Sequence, residues 1–141
     1  MLFRSTVELA TSSARALDLD LDTFLEQFGR YWVDLARQGA YQDLFEMLGS
    51  SLPTVLQNLD AMHARIALSF PRLTPPRFWC SDVSESGFVL HYSSTRPGLT
   101  SFVVGLVRGL ADYLHTRVTI EVTKRKVAGH THDELRLTYI S

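Results

Sequence analysis

The segment GFVLHYSSTRPGL, residues 87–99, contains the point at which the chain changes from a strand to a helix. Its first ten residues follow a Ser/Glu/Gly turn and are rich in β-branched and aromatic side chains, which is typical of a strand. Pro97 and Gly98 then interrupt the pattern. Apolar residues recur after them at helical spacing, and this stripe predicts a helix: Leu99, Phe102, Val103, Leu106, Val107, Leu110 and Leu114.

The segments on either side extend the strand into a sheet. RFWCSDV, residues 77–83, lies across the same turn and predicts an antiparallel partner. At the end of the chain, RVTIEVTKRKV and DELRLTYIS have the alternation of a hairpin around AGHTH. The sequence therefore predicts an antiparallel sheet interrupted by one helix.

The first half of the chain has the pattern of helices. Asp20 or Asp22 can cap one of them, a shorter helical piece ends at Gly49, and Ser51 with Pro53 opens the most regular one. Helices first and an antiparallel sheet afterwards make the fold class α+β. The length of 141 residues, without repeats or linkers, predicts a single domain over 1–141.

The helix that follows Ser51 carries an apolar stripe with a histidine in it. The stripe consists of Leu52, Val55, Leu56, Leu59, Met62, Ile66, Ala67 and Phe70. His63 comes four residues after Leu59 and three before Ile66, so we expect its ring to point the same way. Such an imidazole can bind a metal or haem iron, or it can be a core histidine bonded to a backbone carbonyl. Leu59 and Ala67 occupy the positions four residues away, which argues against zinc on this helix.

The composition excludes several classes of partner. Hydrophobic residues make up 45% of the chain, charged residues 21%, and the formal net charge is −1, which gives no reason to expect nucleic acid or a membrane surface. No apolar run reaches the ~20 residues of a membrane span. Cys80 is the only cysteine, so no intrachain disulfide can form and a cytoplasmic setting is expected.

Tyr92, Ser94 and Arg96 alternate along the predicted strand. Side chains two residues apart share one face of a strand, so these three form a row of donors suited to carboxylates or phosphates. A solvated strand face is the alternative interpretation.

The other candidate residues are interpreted as structural rather than functional. His130, His132 and Asp133 lie where a hairpin turn is expected, and we interpret them as turn residues. Cys80 has no activating partner nearby in the sequence and is interpreted as a strand residue. Common hydrolase, nucleotide-binding and metalloprotease motifs are absent from the sequence, so we expect no enzyme.

Two of these features together resemble a known family. NLDAMHARIALSFPRLTPPRF, followed by GFVLHYSSTRPGL, is similar to the haem nitric oxide/oxygen binding (H-NOX) family, which includes the haem domain of soluble guanylate cyclase. The segment LEQFGRYWVDLARQGAYQDLFEMLGSSLPTVLQNLD and the glycine-bearing FVVGLVRGL look like the helices of that family. The resemblance implies that His63 is the axial ligand of haem b, that Tyr92, Ser94 and Arg96 bind the propionates, and that Pro76 presses on the macrocycle.

The resemblance also implies a ligand and a signalling role. Family members that bind oxygen stably use a distal tyrosine, and Phe102 stands at the matching position, with Leu106 one turn on. We therefore expect a sensor for NO, and also for CO, in which ligand binding shifts the histidine helix. The partner in this family is a cyclase, a histidine kinase, a cyclic-dinucleotide enzyme or a chemotaxis protein.

One departure from the family concerns the start of the chain. Family members begin with a few dozen further residues that form a helical subdomain over the distal side of the haem, and we expect this chain to lack most of it. The chain is then either truncated at its start or a natural short form with an open distal face. The alternative function is accordingly a haem-free interaction module that uses the uncovered apolar face to form a homodimer or to bind another protein.

Overall fold

The computed structural model describes residues 2–39, 42–72, 74–95, 98–126 and 129–140. Within these ranges no helix has both the length and the apolar character needed to cross a bilayer. Helices and strands follow one another in this order: α1 (Leu2–Ala16), α2 (Leu21–Gln38), α3 (Gln42–Met47), α4 (Leu52–Ser69), β1 (Arg77–Ser81), β2 (Gly87–Ser93), α5 (Thr100–Tyr113), β3 (Val118–Lys124) and β4 (Asp133–Tyr139).

The predicted helix caps are present. The Asp20 carboxylate accepts a 2.7 Å hydrogen bond from the backbone N–H of Thr23, so Asp20 rather than Asp22 begins α2. Ser51 caps α4 in the same way, and its side chain accepts a 3.4 Å bond from the N–H of Thr54. Short polar side chains satisfy backbone donors that the first turn of a helix leaves unpaired, which is why these residues set the boundaries.

The four strands form one antiparallel sheet in the order β1-β2-β4-β3. Because β2 pairs with β4 rather than β3, α5 connects an inner strand to the far edge of the sheet. Phe88, Leu90, Leu135 and Leu137 are fully buried on the face that meets the helices. The α+β class is confirmed.

Glycines allow α2 and α5 to approach closely. A Cβ at Gly105 would overlap the backbone oxygen of Glu26, and a Cβ at Gly109 would lie 2.9 Å from the Cβ of Val33. On the other helix, a Cβ at Gly29 would lie 2.8 Å from the backbone nitrogen of Leu106. Any larger side chain at these positions would push the two helices apart.

Only the first half of α4 packs in the core. Leu52, Val55 and Leu56 are buried, whereas Ile66 is 41% exposed and Phe70 is 60% exposed. The apolar stripe of α4 therefore continues beyond the part of the helix that the described core covers. Helical spacing shows which side of a helix is apolar, but it does not show how far the neighbouring elements extend along it.

Candidate functional site

His63 lies in the second half of α4, where the helix leaves the core. Its ring is half-buried, and its centroid lies 6.3 Å from that of Phe78 in β1. Among the described residues, His63 Nδ1 is the buried side-chain nitrogen or oxygen that has no hydrogen-bond partner. Burial lowers the pKa of His63, and the nearby Asp60 carboxylate opposes that shift only in part. The imidazole is thus neutral at pH 7, the form that binds metal.

Asp60 holds this part of α4 against β1. Its carboxylate accepts hydrogen bonds from Arg77 Nε at 2.9 Å, from Arg77 Nη2 at 3.2 Å and from the backbone N–H of Phe78 at 2.9 Å. Burial raises the pKa of Asp60, but these donors outweigh it, and the net pKa is lowered. Asp60 therefore fixes the turn of α4 before His63 relative to Phe78.

Phe78 connects His63 to Tyr92. Tyr92 is buried in β2, and its ring centroid lies 5.3 Å from that of Phe78, on the opposite strand of the β1-β2 pair. The structure therefore places the histidine of α4 and the first residue of the donor row close to the same aromatic ring.

The donor row does not continue along one strand as expected. The strand β2 ends at Ser93, because the chain must turn toward α5, and Gly98 in that turn has a φ of 83°. Ser94 follows the strand and is half-buried, and its backbone oxygen accepts a 3.1 Å hydrogen bond from Lys126 Nζ. Arg96 lies outside the described residues.

Asp133 and Thr100 support the loop that carries the donor row. Asp133 pairs with Tyr92 across β2 and β4, and its carboxylate accepts 2.7 Å bonds from Thr100 Oγ1 and from the backbone N–H of Lys126. This role of Asp133 was not predicted from the sequence. The available signal was an acidic residue in phase with Leu135 and Leu137 on the core face of the last strand.

The remaining predicted residues lie on neighbouring elements. Phe102 in α5 is half-buried, and its ring centroid lies 5.7 Å from that of Phe28 in α2. Leu106, one turn later, packs against the core. Pro76 is half-buried directly before β1.

These residues fit a haem better than a bare metal ion. In the described part of the chain, His63 belongs to no group of three metal-ligating side chains. A porphyrin supplies four nitrogens itself and needs only one imidazole from the protein, together with apolar surface and donors for two carboxylates. The chain offers a neutral imidazole on an apolar helix, with an Nδ1 that has no partner among the described residues. It also offers the buried phenol of Tyr92 beside Phe78 and the hydroxyl of Ser94 two residues later, so these residues fit those needs.

Burial raises the pKa of Cys80 to about 11, so its thiol is not activated, as expected.

The profile of a family described as Haem-NO-binding matches residues 3–122. The chain belongs to this family, the H-NOX domains. H-NOX domains are haem-based sensor domains for NO and other gases and are not themselves catalytic, which agrees with the expectation that this domain is not an enzyme.

Curated relatives of this H-NOX domain include two guanylate cyclase proteins. The chain is 34% identical to soluble guanylate cyclase gcy-33 of Caenorhabditis elegans over 102 residues, which cover 72% of the chain and 11% of that protein. It is 30% identical to the guanylate cyclase soluble subunit beta-2 of Rattus norvegicus over 103 residues, 72% of the chain and 15% of that subunit. The chain thus spans a small part of the length of these relatives.

Solved H-NOX structures have the same fold. An H-NOX protein from S. oneidensis in the Fe(II)NO ligation state superimposes with a TM-score of 0.80 at 17% identity, covering 96% of this chain and 74% of that one. The Fe(II) unliganded H-NOX protein from K. algicida gives a TM-score of 0.79 at 16% identity, covering 96% of this chain and 72% of that one.

Proposed function

We propose that this single H-NOX domain senses NO, and also CO, through a haem b group held by His63. The observation that carries the proposal is the arrangement around Phe78, whose ring lies close both to the neutral imidazole of His63, with an Nδ1 that has no partner among the described residues, and to buried Tyr92. When bound, ferrous haem supplies the iron to which NO and CO bind.

Different residues of the chain would bind different parts of the haem. His63 would be its axial ligand, and Tyr92, Ser94 and Arg96 would bind the propionates by hydrogen bonds and charge. Asp133 supports this arrangement because it ties the start of α5 to the segment that carries Lys126. Pro76, Phe102 and Leu106 would contribute apolar contacts.

Phe102 favours NO and CO over O2. Its phenyl ring packs beside the ring of Phe28 and has no hydrogen-bond donor. Bound O2 is polar and is stabilised by a distal donor, whereas NO and CO depend on one far less.

The signal would pass through α4. Its first half is anchored in the core, and Asp60, in the middle of the helix, bonds to β1. A change at His63 would therefore shift the second half of the helix against β1, and a partner that prefers one position would respond by a population shift.

The named guanylate cyclase relatives favour a cyclase as that partner, ahead of a histidine kinase, a cyclic-dinucleotide enzyme or a chemotaxis protein. The free cysteine favours a cytoplasmic site of action.

The test is a visible spectrum of the dithionite-reduced chain, expressed with haem supply, with and without NO. We expect a Soret band that shifts when NO is added. His63→Ala should lose the band or keep it only with added imidazole, and His130→Ala, an exposed turn histidine, should behave like the parent chain. A chain that circular dichroism shows to be folded, but that stays colourless with excess haemin, would contradict the proposal and favour the haem-free interaction module.

A further inference from the structure

The face of the sheet that points away from the helices carries a second group of ligand-type side chains. His91 of β2, His132 in the turn before β4 and Glu134 of β4 are all half-buried. One donor atom from each lies within 4.8 Å of the others. His91 precedes Tyr92 and Glu134 follows Asp133, so this cluster lies on the opposite face of the sheet from the residues of the haem proposal.

One nitrogen of each imidazole, His91 Nε2 and His132 Nδ1, lies beside a hydroxyl oxygen. Ser81 Oγ lies 2.7 Å from His91 Nε2, and Thr131 Oγ1 lies 2.9 Å from His132 Nδ1. If each hydroxyl oxygen accepts from the ring N–H beside it, the lone pairs of His91 Nδ1 and His132 Nε2 both point inward. Hydrogen bonds of this kind fix the tautomer and orientation of histidines that bind metals.

The two inward nitrogens lie 2.9 Å apart. Two lone pairs at that distance repel each other unless a proton or a cation lies between them. A tetrahedral ion with two imidazole nitrogens at about 2.0–2.1 Å would hold them about 3.3 Å apart. The two nitrogens would therefore have to move apart by about 0.4 Å to bind such an ion.

Glu134 supplies the third ligand and keeps its own partner. Its Oε1 lies 3.7 Å from His91 Nδ1, while Oε2 forms a 2.8 Å ion pair with Lys124 Nζ. One carboxylate oxygen can therefore bind an ion while the other remains bonded to the lysine, an arrangement common around metal ligands.

Trp79 forms one wall of the cluster. Its ring stacks on His91 at a centroid distance of 5.1 Å and an interplanar angle of 5°, and its centroid lies 4.9 Å from that of His132. The indole restricts both imidazoles and lies close enough to report what binds between them.

We propose that His91 Nδ1, His132 Nε2 and Glu134 Oε1 bind a divalent transition metal ion, with Zn²⁺ as the ion that fits two imidazoles and one carboxylate. A tetrahedral ion would take a fourth ligand, such as water. The ion would tie β2 to the β3-β4 turn behind Tyr92 and Asp133. This assignment does not depend on haem binding.

The test is calorimetric titration of Zn²⁺ into the full chain after treatment with a chelator and desalting. We expect saturable binding of one ion per chain. His132→Ala and Glu134→Gln should each weaken it by at least about 10-fold, and Ser81→Ala should weaken it by a smaller factor. His130→Ala and His63→Ala should leave it unchanged.

Trp79 gives an independent readout. The chain has two tryptophans, so Trp32→Phe leaves Trp79 as the one that emits. Cu²⁺ should quench that emission stoichiometrically, and the added change His132→Ala should abolish the stoichiometric phase. The proposal is overturned if Zn²⁺ does not bind saturably, or if binding and quenching persist in His132→Ala and Glu134→Gln chains that circular dichroism shows to be folded.

Discussion

Thr100 Oγ1 donates a 2.7 Å hydrogen bond to Asp133 Oδ2, and both residues are buried. Thr100 is the first residue of α5 and Asp133 the first of β4. The other oxygen of the carboxylate accepts from the backbone of Lys126. One buried carboxylate therefore ties the start of α5, where the loop after Tyr92 ends, to the segment that follows β3.

Asp133→Ala should lower the free energy of unfolding by about 1–3 kcal/mol, because it leaves a buried hydroxyl and a backbone N–H without their acceptor. It should also weaken haem retention, since the loop between Tyr92 and Thr100 loses its support. Urea unfolding and the rate of haem transfer to an excess of an acceptor protein measure the two effects.

Thr119→Val, which removes an exposed hydroxyl from β3, is the matched control and should change neither quantity. In a double-mutant cycle, Thr100→Val and Asp133→Ala should be non-additive. Additive effects would show that their hydrogen bond contributes nothing.

Gly105→Ala should separate α2 from α5. The new methyl would overlap the backbone oxygen of Glu26, which cannot move as a side chain does, so we expect a loss of about 1–3 kcal/mol in urea unfolding. Gly39→Ala places its methyl 3.8 Å from the nearest atom, the backbone oxygen of Leu35, and should be nearly neutral. Equal stability of the two variants would contradict the close packing.

Local signals in the sequence predicted the elements well. Asp20 and Ser51 act through bonds to residues three positions away, so their roles as caps are visible in a short window. The alternation in residues 117–141 likewise depends on neighbours along the strands, and the hairpin was correctly predicted.

Relationships between distant segments could not be predicted. The end of β2 at Ser93 depends on how the chain enters α5, and the bond between Thr100 and Asp133 joins residues 33 positions apart. For His63, the spacing of the helix is compatible both with a metal or haem ligand and with a core histidine. Among the described residues Nδ1 has no partner, which favours the interpretation of His63 as a ligand. That role stays a prediction.

The stability of the haem-free chain should fall as the pH drops below about 6.5, partly because of His63. Burial lowers its pKa in the folded state, so the unfolded chain takes up a proton at a higher pH than the folded chain. The contribution of neutral His63 to the free energy of unfolding is fully present above pH 6.5, the pKa in the unfolded chain. It is lost as the pH falls toward the lower pKa of the folded chain.

Urea unfolding of the parent and His63→Leu chains between pH 8 and pH 5 measures this effect. The parent should lose stability more steeply, and the difference between the two curves isolates His63 from the other histidines. Parallel curves would show that the imidazole is not buried in solution.

Asp60→Ala should destabilise the chain more than Arg77→Gln. The Arg77 side chain is 63% exposed, so solvent screens its ion pair and the loss of that pair alone should cost little stability. The Asp60 carboxylate also accepts the backbone N–H of Phe78, whose loss adds about 1–3 kcal/mol. Thermal unfolding of the two variants shows which one loses more stability. Equal losses would mean that the bond from Asp60 to the backbone of Phe78 adds nothing to the ion pair.

Phe102→Tyr should lengthen the time for which the reduced, haem-loaded chain retains O2. The phenyl ring of Phe102 is half-buried beside Phe28, and a hydroxyl at its para position would add the donor that the present side chain lacks. Stopped-flow mixing of the oxygenated chain with dithionite gives the rate of O2 loss, which should fall at least several-fold, while the rate of CO loss changes little.

Leu106→Met, one turn along α5, is a control of similar volume without a donor. If Phe102→Tyr leaves the rate of O2 loss unchanged while the Soret band is intact, Phe102 does not face the gas-binding side, and the preference for NO has another cause.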